Sequence, residues 1–502
     1  MSVVAVLTLL HAESIDDALA GFDEGRTSIT QTDSGSVEEA LNGFDETASS
    51  NAPNDASVEE ALSGFEKANV KIESQNPANT DDSNCTTCKS DIAPPNRMER
   101  LHDISGYLKQ QAVYSYEDKS PHRGWSSLRT TLFLDFEHKF DNGWKLKSNA
   151  RAYYDVIYDL REQPYSVQER KELHNEVRLY DAYLEGSITE RLDFRIGRQV
   201  VVWGRSDTIR ITDVLNPLDN RRAAIVDIED LRLPTAMMKL DYYIGEWRIT
   251  PIMILEQQFS LDPPYGSQFY PLAVPLPPEE RVNEPTFAVS IGGEFSGWDV
   301  NFYGAYIFDD TNVVVNVATQ DARIVHRKTP MLGMAMNYLS GSWLFKGEMA
   351  YFDKVYHTMA PGKTLSRLDA LLGVEYNGVA DTMISYDLSV RHFTRYDARL
   401  GLLSITAPGG SEVRLIPVAE DTWQQAFRVS SDFLNDTLHA NYLISLFGKR
   451  LDEGGFQRLW VDYDIDDSWQ ASVGMVDYIG GSPLFDSIKD ADMLFAEIRY
   501  SF

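Results

Sequence analysis

The chain ends in the alternating segment Asp492-Met-Leu-Phe-Ala-Glu-Ile-Arg-Tyr-Ser-Phe502. In an extended strand, successive side chains point to opposite faces. One face of this segment therefore carries Leu494, Ala496, Ile498, Tyr500 and Phe502, and the other carries Phe495, Glu497, Arg499 and Ser501. The two-residue period predicts a β-strand with one apolar face. Such a strand fits a soluble sandwich as well as a membrane barrel.

An apolar alternation that ends on an aromatic residue resembles the insertion signal of bacterial outer-membrane β-barrel proteins. The resemblance implies that Tyr500 and Phe502 form a membrane insertion signal for the barrel-assembly machinery. It also implies a Gram-negative outer membrane as the location, with outer-membrane lipids around the protein. The remaining chain then has to repeat the same pattern.

Composition restricts the class of protein. The chain has 502 residues but no apolar run near the ~20 residues that a membrane-spanning helix needs. A content of 43% hydrophobic and 11% aromatic residues is compatible with barrel strands, whose outward residues alternate with polar ones. A net charge of −30 argues against nucleic acid as a partner.

Residues 104–502 repeat the alternation strand after strand. In Leu146–Asp159, the charged residues Arg151 and Asp155 share one face, and Tyr154 lies on the other. In the same way, one face of the next segment carries Asp181, Tyr183 and Glu185, and the opposite face carries Tyr180, Ala182 and Leu184. A transmembrane barrel would turn the charged face toward its lumen. We therefore predict a lumen lined by Arg151, Asp155, Asp181, Glu185, Arg195, Asp387, Arg391 and Asp462.

Connection lengths separate a barrel from a sandwich. Tight turns such as Asp141-Asn142-Gly143 alternate with long polar connections such as Arg205 to Leu233. Short turns on one rim and long loops on the other are typical of outer-membrane barrels. Several tryptophans follow tight turns, where an interfacial aromatic belt would place them. We predict an all-β, antiparallel transmembrane barrel of about 18 strands, with 16 as the alternative.

The most distinctive barrel segment is Gly197-Arg-Gln-Val-Val-Val-Trp-Gly204, followed by Asp213-Val-Leu-Asn-Pro-Leu-Asp219. These runs resemble the G-R-Q-x-x-x-W-G and D-x-L-N-P-x-D motifs of domain of unknown function 1302, a family of outer-membrane proteins. Members of that family commonly accompany transporters of the resistance-nodulation-division (RND) superfamily and a lipoprotein-carrier-like periplasmic protein. The resemblance therefore implies movement of lipids or other hydrophobic molecules.

The same segment concentrates charge of both signs. Its charged residues are Arg205, Asp207, Arg210, Asp213, Asp219, Arg221 and Arg222. Asp213, Asn216-Pro217 and Asp219-Asn220 occupy turn-forming positions. The segment could fold into the lumen as a constriction formed by Arg205, Asp207, Arg210 and Asp213. It could equally form a well-capped extracellular loop.

The amino-terminal fifth of the chain differs from the barrel. Residues 1–12 resemble the apolar core and cleavage end of a secretory signal peptide, but no Lys or Arg precedes them, so the signal is expected to be incomplete. Residues 13–91 form an acidic extension with eighteen acidic and four basic residues. We expect this extension in the periplasm and mostly disordered. Residues 92–103 read as a linker.

The extension contains a repeat of the form Ser-x-acid-acid-Ala-Leu-x-Gly-Phe, which begins at Ser14, Ser36 and Ser57. Each copy predicts a short capped helix with one apolar stripe, too short to be stable alone in water. Three such helices could pack together or plug the barrel. Alternatively, they are tandem docking motifs that place Leu19, Phe22, Leu41, Phe44, Leu62 and Phe65 in grooves of a periplasmic or inner-membrane transporter. We favour docking, because near-identical apolar residues on variable linkers suit multivalent binding.

Cys85 and Cys88 are the two cysteines of the chain. In an oxidising compartment they are expected to form a disulfide. No His follows Cys88, so the covalent haem pattern is absent, and further metal ligands are not apparent. The nine histidines show no H-x-x-x-H spacing, and no G-x-S-x-G or phosphate-loop motif occurs. We therefore expect no enzyme, cofactor or metal site.

Together these features predict an outer-membrane channel component of a cell-envelope transport system for hydrophobic or amphipathic, lipid-like cargo. The channel would dock on an RND-type transporter through the amino-terminal repeats. One alternative is a porin sheath around an electron-transfer cytochrome, since an amino-terminal C-x-x-C also occurs in such porins. Two further alternatives are a general diffusion porin and a barrel that only anchors the repeats.

Overall fold

A computed structural model describes residues 104–118, 121–161, 164–222, 224–225, 231–272, 274–315, 321–402, 404–406, 412–414 and 416–502. The predicted signal peptide (1–12), acidic extension (13–91) and linker (92–103) lie outside the described residues. So do the three repeats with Leu19, Phe22, Leu41, Phe44, Leu62 and Phe65, and the predicted disulfide of Cys85 and Cys88.

The described residues form 22 strands. In chain order they are Ile104–Ser115 (β1), Gly124–Lys139 (β2), Lys145–Asp155 (β3), Asn175–Thr189 (β4), Leu192–Gln199 (β5), Thr235–Ile244 (β6), Trp247–Ile254 (β7), Thr286–Phe295 (β8), Trp298–Phe308 (β9), Val313–Val315 (β10), Arg323–Val325 (β11), Lys328–Ser340 (β12), Trp343–Val355 (β13), Leu365–Val379 (β14), Thr382–Phe393 (β15), Ser404–Thr406 (β16), Glu412–Arg414 (β17), Asp421–Phe433 (β18), Leu438–Phe447 (β19), Gly455–Asp464 (β20), Trp469–Ile479 (β21) and Met493–Ser501 (β22).

Eighteen of these strands form one closed antiparallel barrel. Each barrel strand pairs with its neighbours in the chain, and β1 closes the barrel by pairing with β22 from Tyr107↔Ser501 to Ser115↔Met493. β9 pairs with β12 and β15 pairs with β18, because β10–β11 and β16–β17 are small hairpins within loops. The predicted fold class and strand number of 18 are confirmed.

The two rims of the barrel differ as expected. Short turns over 140–144, 190–191, 245–246, 296–297, 341–342, 380–381, 434–437 and 465–468 lie on one rim. Ile104 begins β1 on that rim, and the backbones of Gly106 and Phe502 exchange two hydrogen bonds of 2.9 Å there. The opposite rim carries the long loops, with helices Ile157–Leu160 (α1), Val167–Leu173 (α2) and Pro483–Ile488 (α3), and a 3₁₀ turn at Ala398–Gly401.

The outer surface of the barrel is apolar. Exposed outward side chains include Leu132, Leu332, Leu372, Val473 and Leu494, and Leu372 is 72% exposed. Trp247, Trp298, Trp343 and Trp469 lie at the first residue of a strand after a short turn and are exposed. Tyr500 and Phe502 are also exposed, on the same rim. Apolar residues bounded by an aromatic belt form the lipid-facing surface of a transmembrane barrel.

None of the helices within the described ranges is long and apolar enough to cross a membrane.

Two local predictions were wrong. The strand predicted over Leu146–Asp159 ends at Asp155, and Ile157 and Tyr158 instead pack against Leu173 of α2. Tyr180, predicted to face outward, is 8% exposed and faces inward, because the register between β3 and β4 shifts between Ser148 and Ala150. A β-bulge places two consecutive residues on the same face, so strict alternation fails there.

The lumen is filled rather than empty. Inward side chains from strands on all sides of the barrel form one apolar cluster, which includes Phe352, Phe393, Leu443, Trp460 and Phe495. The same cluster contains side chains of the segment between β5 and β6: Trp203, Ile209, Ile211, Leu215 and Leu218. This segment, residues 200–234, is called the lumen loop below.

Candidate functional site

The lumen loop is closed at its base by Asn216. The Asn216 Oδ1 accepts from the backbone N–H of Val201 at 2.8 Å, and its Nδ2 donates to the carbonyl of Leu233 at 2.9 Å. The two ends of the loop are thereby joined through one side chain. Beside Asn216, the fully buried Gln199 donates to the carbonyl of Met237 in β6 at 3.1 Å. The asparagine and glutamine of the motif therefore hold the loop against the strands that it connects.

Asp213 holds the middle of the lumen loop. Its carboxylate accepts from the backbone N–H of Trp203 at 3.2 Å and from the Nε of Arg232 at 3.0 Å. Arg210 lies 3.3 Å from the same carboxylate and donates to the carbonyl of Asn216 at 3.0 Å. Arg210 and Asp213, both predicted for a constriction, thus bind one another and the loop backbone.

Two glycines of the motif are required by close approaches. Gly197 has φ +131, and a Cβ there would lie 2.1 Å from the carbonyl oxygen of Ala182 in β4. Gly204 has φ +93, and a Cβ there would lie 2.9 Å from a carboxylate oxygen of Glu348 in β13. Both conformations are unfavourable for residues with a side chain. The loop therefore reaches Glu348 only with glycine at position 204.

The deepest part of the loop is held by Glu348. One carboxylate oxygen of Glu348 accepts from the backbone N–H groups of Arg205 and Ser206, and the other accepts from the backbone and hydroxyl of Thr212. Glu348 is 5% exposed. A buried carboxylate is stable when hydrogen-bond donors satisfy its oxygens. Glu348 is therefore the principal acceptor for the tip of the lumen loop.

Three further wall residues, Asp387, Lys346 and Asp299, hold the tip through polar contacts. Asp387 of β15 accepts from Ser206 Oγ at 2.7 Å and from the hydroxyl of Thr208. Lys346 of β13 pairs with Asp207 and lies 3.2 Å from Glu375. Arg205 pairs with Asp299, the second residue of β9 after its short turn. The tip therefore lies in the half of the lumen nearer the short-turn rim. Arg205–Thr208 with Lys346, Glu348 and Asp387 are called the tip cluster below.

A second polar group lies beside β3 and β4. Arg221 binds Asp219 at 2.6 Å and Glu176 at 2.9 Å. Arg151 lies 4.0 Å from Asp219 and 4.6 Å from the centroid of the Tyr180 ring. Burial alone would raise the pKa of Asp219, but Arg221 and Arg151 lower it to about 2. Asp219 is therefore ionised and paired at neutral pH.

A cavity of about 50 Å³ opens between this group and the inner faces of β1, β2 and β3. Its charged lining residues are Lys109, Arg129, Arg151, Arg221, Arg222 and Asp219. Five cationic side chains thus face one carboxylate. This region is called the cationic cavity below.

The remaining predicted lumen residues lie on the wall. Asp155 is 1% exposed and accepts from Ser127 Oγ and from the backbone N–H of Leu128. Asp181 accepts from Asn149 at 3.1 Å, and Glu185 binds Lys145 at 2.6 Å and Arg195 at 2.5 Å. Arg391 lies 3.4 Å from Asp369, and Asp462 accepts from Ser472 Oγ.

The structure thus sorts the predicted lumen residues into separate groups. Arg205, Asp207 and Asp387 meet in the tip cluster, and Arg210 and Asp213 meet at the middle of the loop. Arg151 lines the cationic cavity. Asp181, Glu185 and Arg195 follow the inner face of β4 and β5, whereas Asp462 lies apart on β20.

Sequence analysis missed Lys346, Glu348 and Asn216 as contact residues. Lys346 and Glu348 alternate with Phe345, Gly347 and Met349 in β13. Two charges on one face of an otherwise apolar strand are a signal that could have identified them. Asn216 was recognised only as a turn residue, because its role depends on bringing Val201 and Leu233 together.

Comparison with known proteins identifies a family and similar folds. The sequence profile of the family described as "Protein of unknown function (DUF1302)" matches residues 2–502. No curated protein matches the chain.

The fold is similar to that of solved porins. A crystal structure of OccAB2 from Acinetobacter baumannii has 11% sequence identity and a TM-score of 0.47, and the match covers 80% of this chain and 98% of that chain. OccK2 (OpdF) from Pseudomonas aeruginosa, in complex with glucuronate, has 10% identity and a TM-score of 0.47, with coverage of 80% and 97%. OmpF from Salmonella typhi, in complex with daunomycin, has 10% identity and a TM-score of 0.41, with coverage of 80% and 97%.

Proposed function

The chain belongs to the DUF1302 family, and from its barrel and lumen loop we propose that it is an outer-membrane channel for hydrophobic or amphipathic, lipid-like cargo. The observation that carries the proposal is the filled lumen, in which apolar side chains of the wall pack against apolar side chains of a loop. The barrel supplies the passage, and the loop controls it. The protein acts as a channel rather than an enzyme.

The outer surface supports the location. A closed antiparallel barrel satisfies all strand hydrogen bonds, which lipid surroundings require. Its apolar exterior and its exposed tryptophans at the short-turn rim fit a bilayer with that rim toward the periplasm. The long loops would then face the cell exterior.

The inner surface supports the cargo class. A lumen that conducts small hydrophilic solutes is lined by polar side chains. Here Phe352, Phe393, Leu443, Trp460 and Phe495 are inward and buried. If the lumen loop moved away, these side chains would form an apolar surface beside the charged wall residues. A molecule with an apolar tail and a polar head would contact both kinds of surface.

The lumen loop fits a gate better than a permanent plug. Its tip is held on the wall by polar contacts with Glu348, Asp387 and Lys346, whereas apolar side chains of the rest of the loop pack in the lumen cluster. Polar contacts of this kind can be exchanged for water when the lumen hydrates, so the tip can leave the wall. A rearrangement at the tip would therefore open the passage from the periplasmic side.

The electron-transfer sheath receives no support from the lumen. A cytochrome inside the barrel would have to occupy the volume that Trp203, Ile209, Ile211 and Leu215 fill in the described part of the chain. A general diffusion porin is likewise less consistent with an apolar inner surface.

We further propose that the three amino-terminal repeats dock on a periplasmic or inner-membrane transporter of the RND type. Ile104 lies at the short-turn rim, so the preceding segment joins the barrel on the side proposed to face the periplasm. The family resemblance of the motif Gly197–Asp219 implies such a partner. Tandem weak sites would raise avidity without requiring one strong contact.

Vesicle transport tests the cargo class. The purified full-length protein is reconstituted in phospholipid vesicles, and the entry of a fluorescent lysophospholipid is compared with that of an uncharged sugar of similar mass. We expect lysophospholipid entry at least about tenfold faster than in protein-free vesicles, with little sugar entry. Rapid sugar entry with lysophospholipid entry at the protein-free rate would instead identify a general diffusion porin.

A pull-down experiment tests docking. Replacing Leu19, Phe22, Leu41, Phe44, Leu62 and Phe65 with Ala should abolish capture of the transporter from solubilised envelopes, while the barrel still inserts. The matched control replaces linker residues Thr47, Asn51, Asn54 and Thr80 with Ala and should capture it normally. Equal capture by both variants would remove the docking proposal.

A further inference from the structure

The cationic cavity contains a guanidinium, that of Arg222, which forms no ion pair with the described residues. The Nη2 of Arg222 is enclosed by protein and has no hydrogen-bond partner among the described residues. Within the same part of the chain, no carboxylate lies within ion-pair distance of Arg222, whereas Arg221 next to it binds two. Burial, reinforced by the nearby Arg129 and offset only in part by Asp155 and Glu497, lowers the pKa of Arg222 to about 9. Arg222 is therefore still charged at neutral pH.

The described carboxylates nearest to Arg222, Asp155 and Glu497, act on it only at longer range. Arg129 lies 3.6 Å from Asp155, and its Nε lacks a hydrogen-bond acceptor within the described ranges. Lys109 lies 3.4 Å from Glu497, and Arg221 holds both Asp219 and Glu176. Each described carboxylate near the cavity is thus held by a cation other than Arg222. Enclosing an uncompensated charge is costly unless an anion binds beside it.

We propose that the cationic cavity is a binding site for a carboxylate or phosphate group. The guanidinium of Arg222 would donate to its oxygens, with Arg129 and Lys109 beside it and the neutral donors Gln111, Thr131 and Tyr153 on the wall. Planar guanidinium groups bind such oxyanions in a bidentate manner. A volume of about 50 Å³ accommodates a head group but not an acyl chain.

The surroundings of the cavity suggest how a larger molecule would be placed. Leu173 and Ile225 complete its lining, and Ile225 belongs to the apolar cluster that fills the lumen. An anionic amphiphile could therefore place its head in the cavity and its tail along the apolar lumen. Such a site deepens the proposed transport function and depends on it only for the route by which the ligand reaches the cavity. A small free anion would use the same donors.

Calorimetric titration tests the site without requiring transport. The full-length protein is placed in lipid nanodiscs and titrated with inorganic phosphate and with octyl phosphate, and empty nanodiscs provide the background. We expect saturable binding of at least one probe. If octyl phosphate binds at least about tenfold more tightly than inorganic phosphate, the natural ligand is an amphiphile. Equal affinities would indicate a free anion as the ligand. Both results support the site, and binding of neither probe would overturn it.

Substitution of Arg222 distinguishes a ligand role from a structural one. Arg222→Gln should weaken the tighter probe at least about tenfold, while Arg222→Lys, which keeps the charge, should weaken it less. The matched control is Arg195→Gln, which removes a luminal arginine paired with Glu185 outside the cavity and should change affinity by less than about twofold. Unchanged affinity in Arg222→Gln would overturn the proposal.

Thermal unfolding gives a second readout. Loss of an arginine that stabilises the fold would lower the unfolding temperature, whereas loss of an arginine that only binds a ligand would not. Because the Nη2 of Arg222 is enclosed and has no partner among the described residues, Arg222→Gln should leave the unfolding temperature unchanged or raise it in the absence of ligand. The stabilisation that octyl phosphate gives to the native protein should disappear in this variant. A lower unfolding temperature with ligand stabilisation retained would assign Arg222 to folding and overturn the proposal.

Discussion

The lumen loop contributes to two enclosed polar regions, the tip cluster and the cationic cavity. The charges of these two regions are arranged differently. In the tip cluster, Glu348 accepts from four donors of the loop, and Asp387 and Asp207 are each bonded. In the cationic cavity, five cationic side chains line a space with one carboxylate, and the Nη2 of Arg222 has no hydrogen-bond partner in the described part of the chain. The bonded carboxylates hold the tip in one conformation, although the Nε of Arg205 there also has no acceptor within the described ranges. A cation that lacks an acceptor beside a cavity leaves room for an anionic ligand. The comparison therefore separates the part that holds the loop from the part proposed to bind.

The largest effect is expected where the principal acceptor of the tip cluster is removed. Glu348→Ala removes the acceptor for Arg205, Ser206 and Thr212 and leaves their donors enclosed. Docking of the loop should weaken by about 3 kcal/mol or more. Hydrogen exchange at the amides of Ser206 and Thr212 measures the loss.

Glu348→Gln is the matched variant, since it keeps one acceptor oxygen and should cost about half as much. Equal, native-like protection of the loop amides in both variants would mean that Glu348 does not anchor the tip.

A smaller effect is expected at the base of the loop. Asn216→Ala removes the side chain that joins Val201 to Leu233 and should destabilise the loop by about 1–3 kcal/mol. The amide of Val201 should lose protection while that of Ser206 at the tip keeps most of its own, because Glu348 remains. Simultaneous loss at both amides would show that base and tip unfold as one unit and would weaken the distinction drawn above.

The smallest effect concerns a carboxyl pair between the loops that follow β7 and β9. Burial and the nearby Asp310 raise the pKa of Asp262 to about 7. A raised carboxyl pKa means that the folded state binds the proton more tightly, so stability is greatest below about pH 4 and falls as the pH rises toward 7. Between pH 6 and 7, protection of the Ser260 amide, which donates to Asp310 at 2.8 Å, should fall by about 1 kcal/mol.

Asp262→Asn keeps a polar side chain beside Asn312 but cannot titrate. This variant should lose most of the pH dependence and be more protected than the native protein at pH 8. A native-like pH profile in Asp262→Asn would assign the dependence to other groups.

The wall of the barrel could be predicted from the sequence because each strand carries its own signal. Arg151 and Asp155 are inward and Leu146 and Tyr154 outward, as the alternation of β3 requires. The pattern fails where register depends on a neighbour, as at Tyr180, and where a strand gives way to a helix, as at Ile157. Both failures occur within one hairpin, between β3 and β4.

The lumen loop was less predictable. Its turn residues and its charges fit a constriction and an external loop equally well, since Asn and Asp form the same turns in a luminal segment and in an external one. Its position depends on Glu348 and Asp387, which lie about 140 and 180 residues further along the chain. The position of Arg222 among other cations of the cavity is likewise a property of the assembled lumen. No local pattern encodes such contacts, so the sequence indicated the residue types but not their partners.

The central claim is that the lumen loop gates the barrel, and cross-linking its tip to the wall tests this most directly. In a Cys85→Ser/Cys88→Ser background, Thr208→Cys and Asp387→Cys place thiols at positions whose side chains are hydrogen-bonded in the native protein. A short bifunctional methanethiosulfonate reagent should join them and stop lysophospholipid entry into vesicles, and reductant should restore it. Efficient cross-linking with undiminished entry, or failure of the two thiols to join in a folded barrel, would contradict the account.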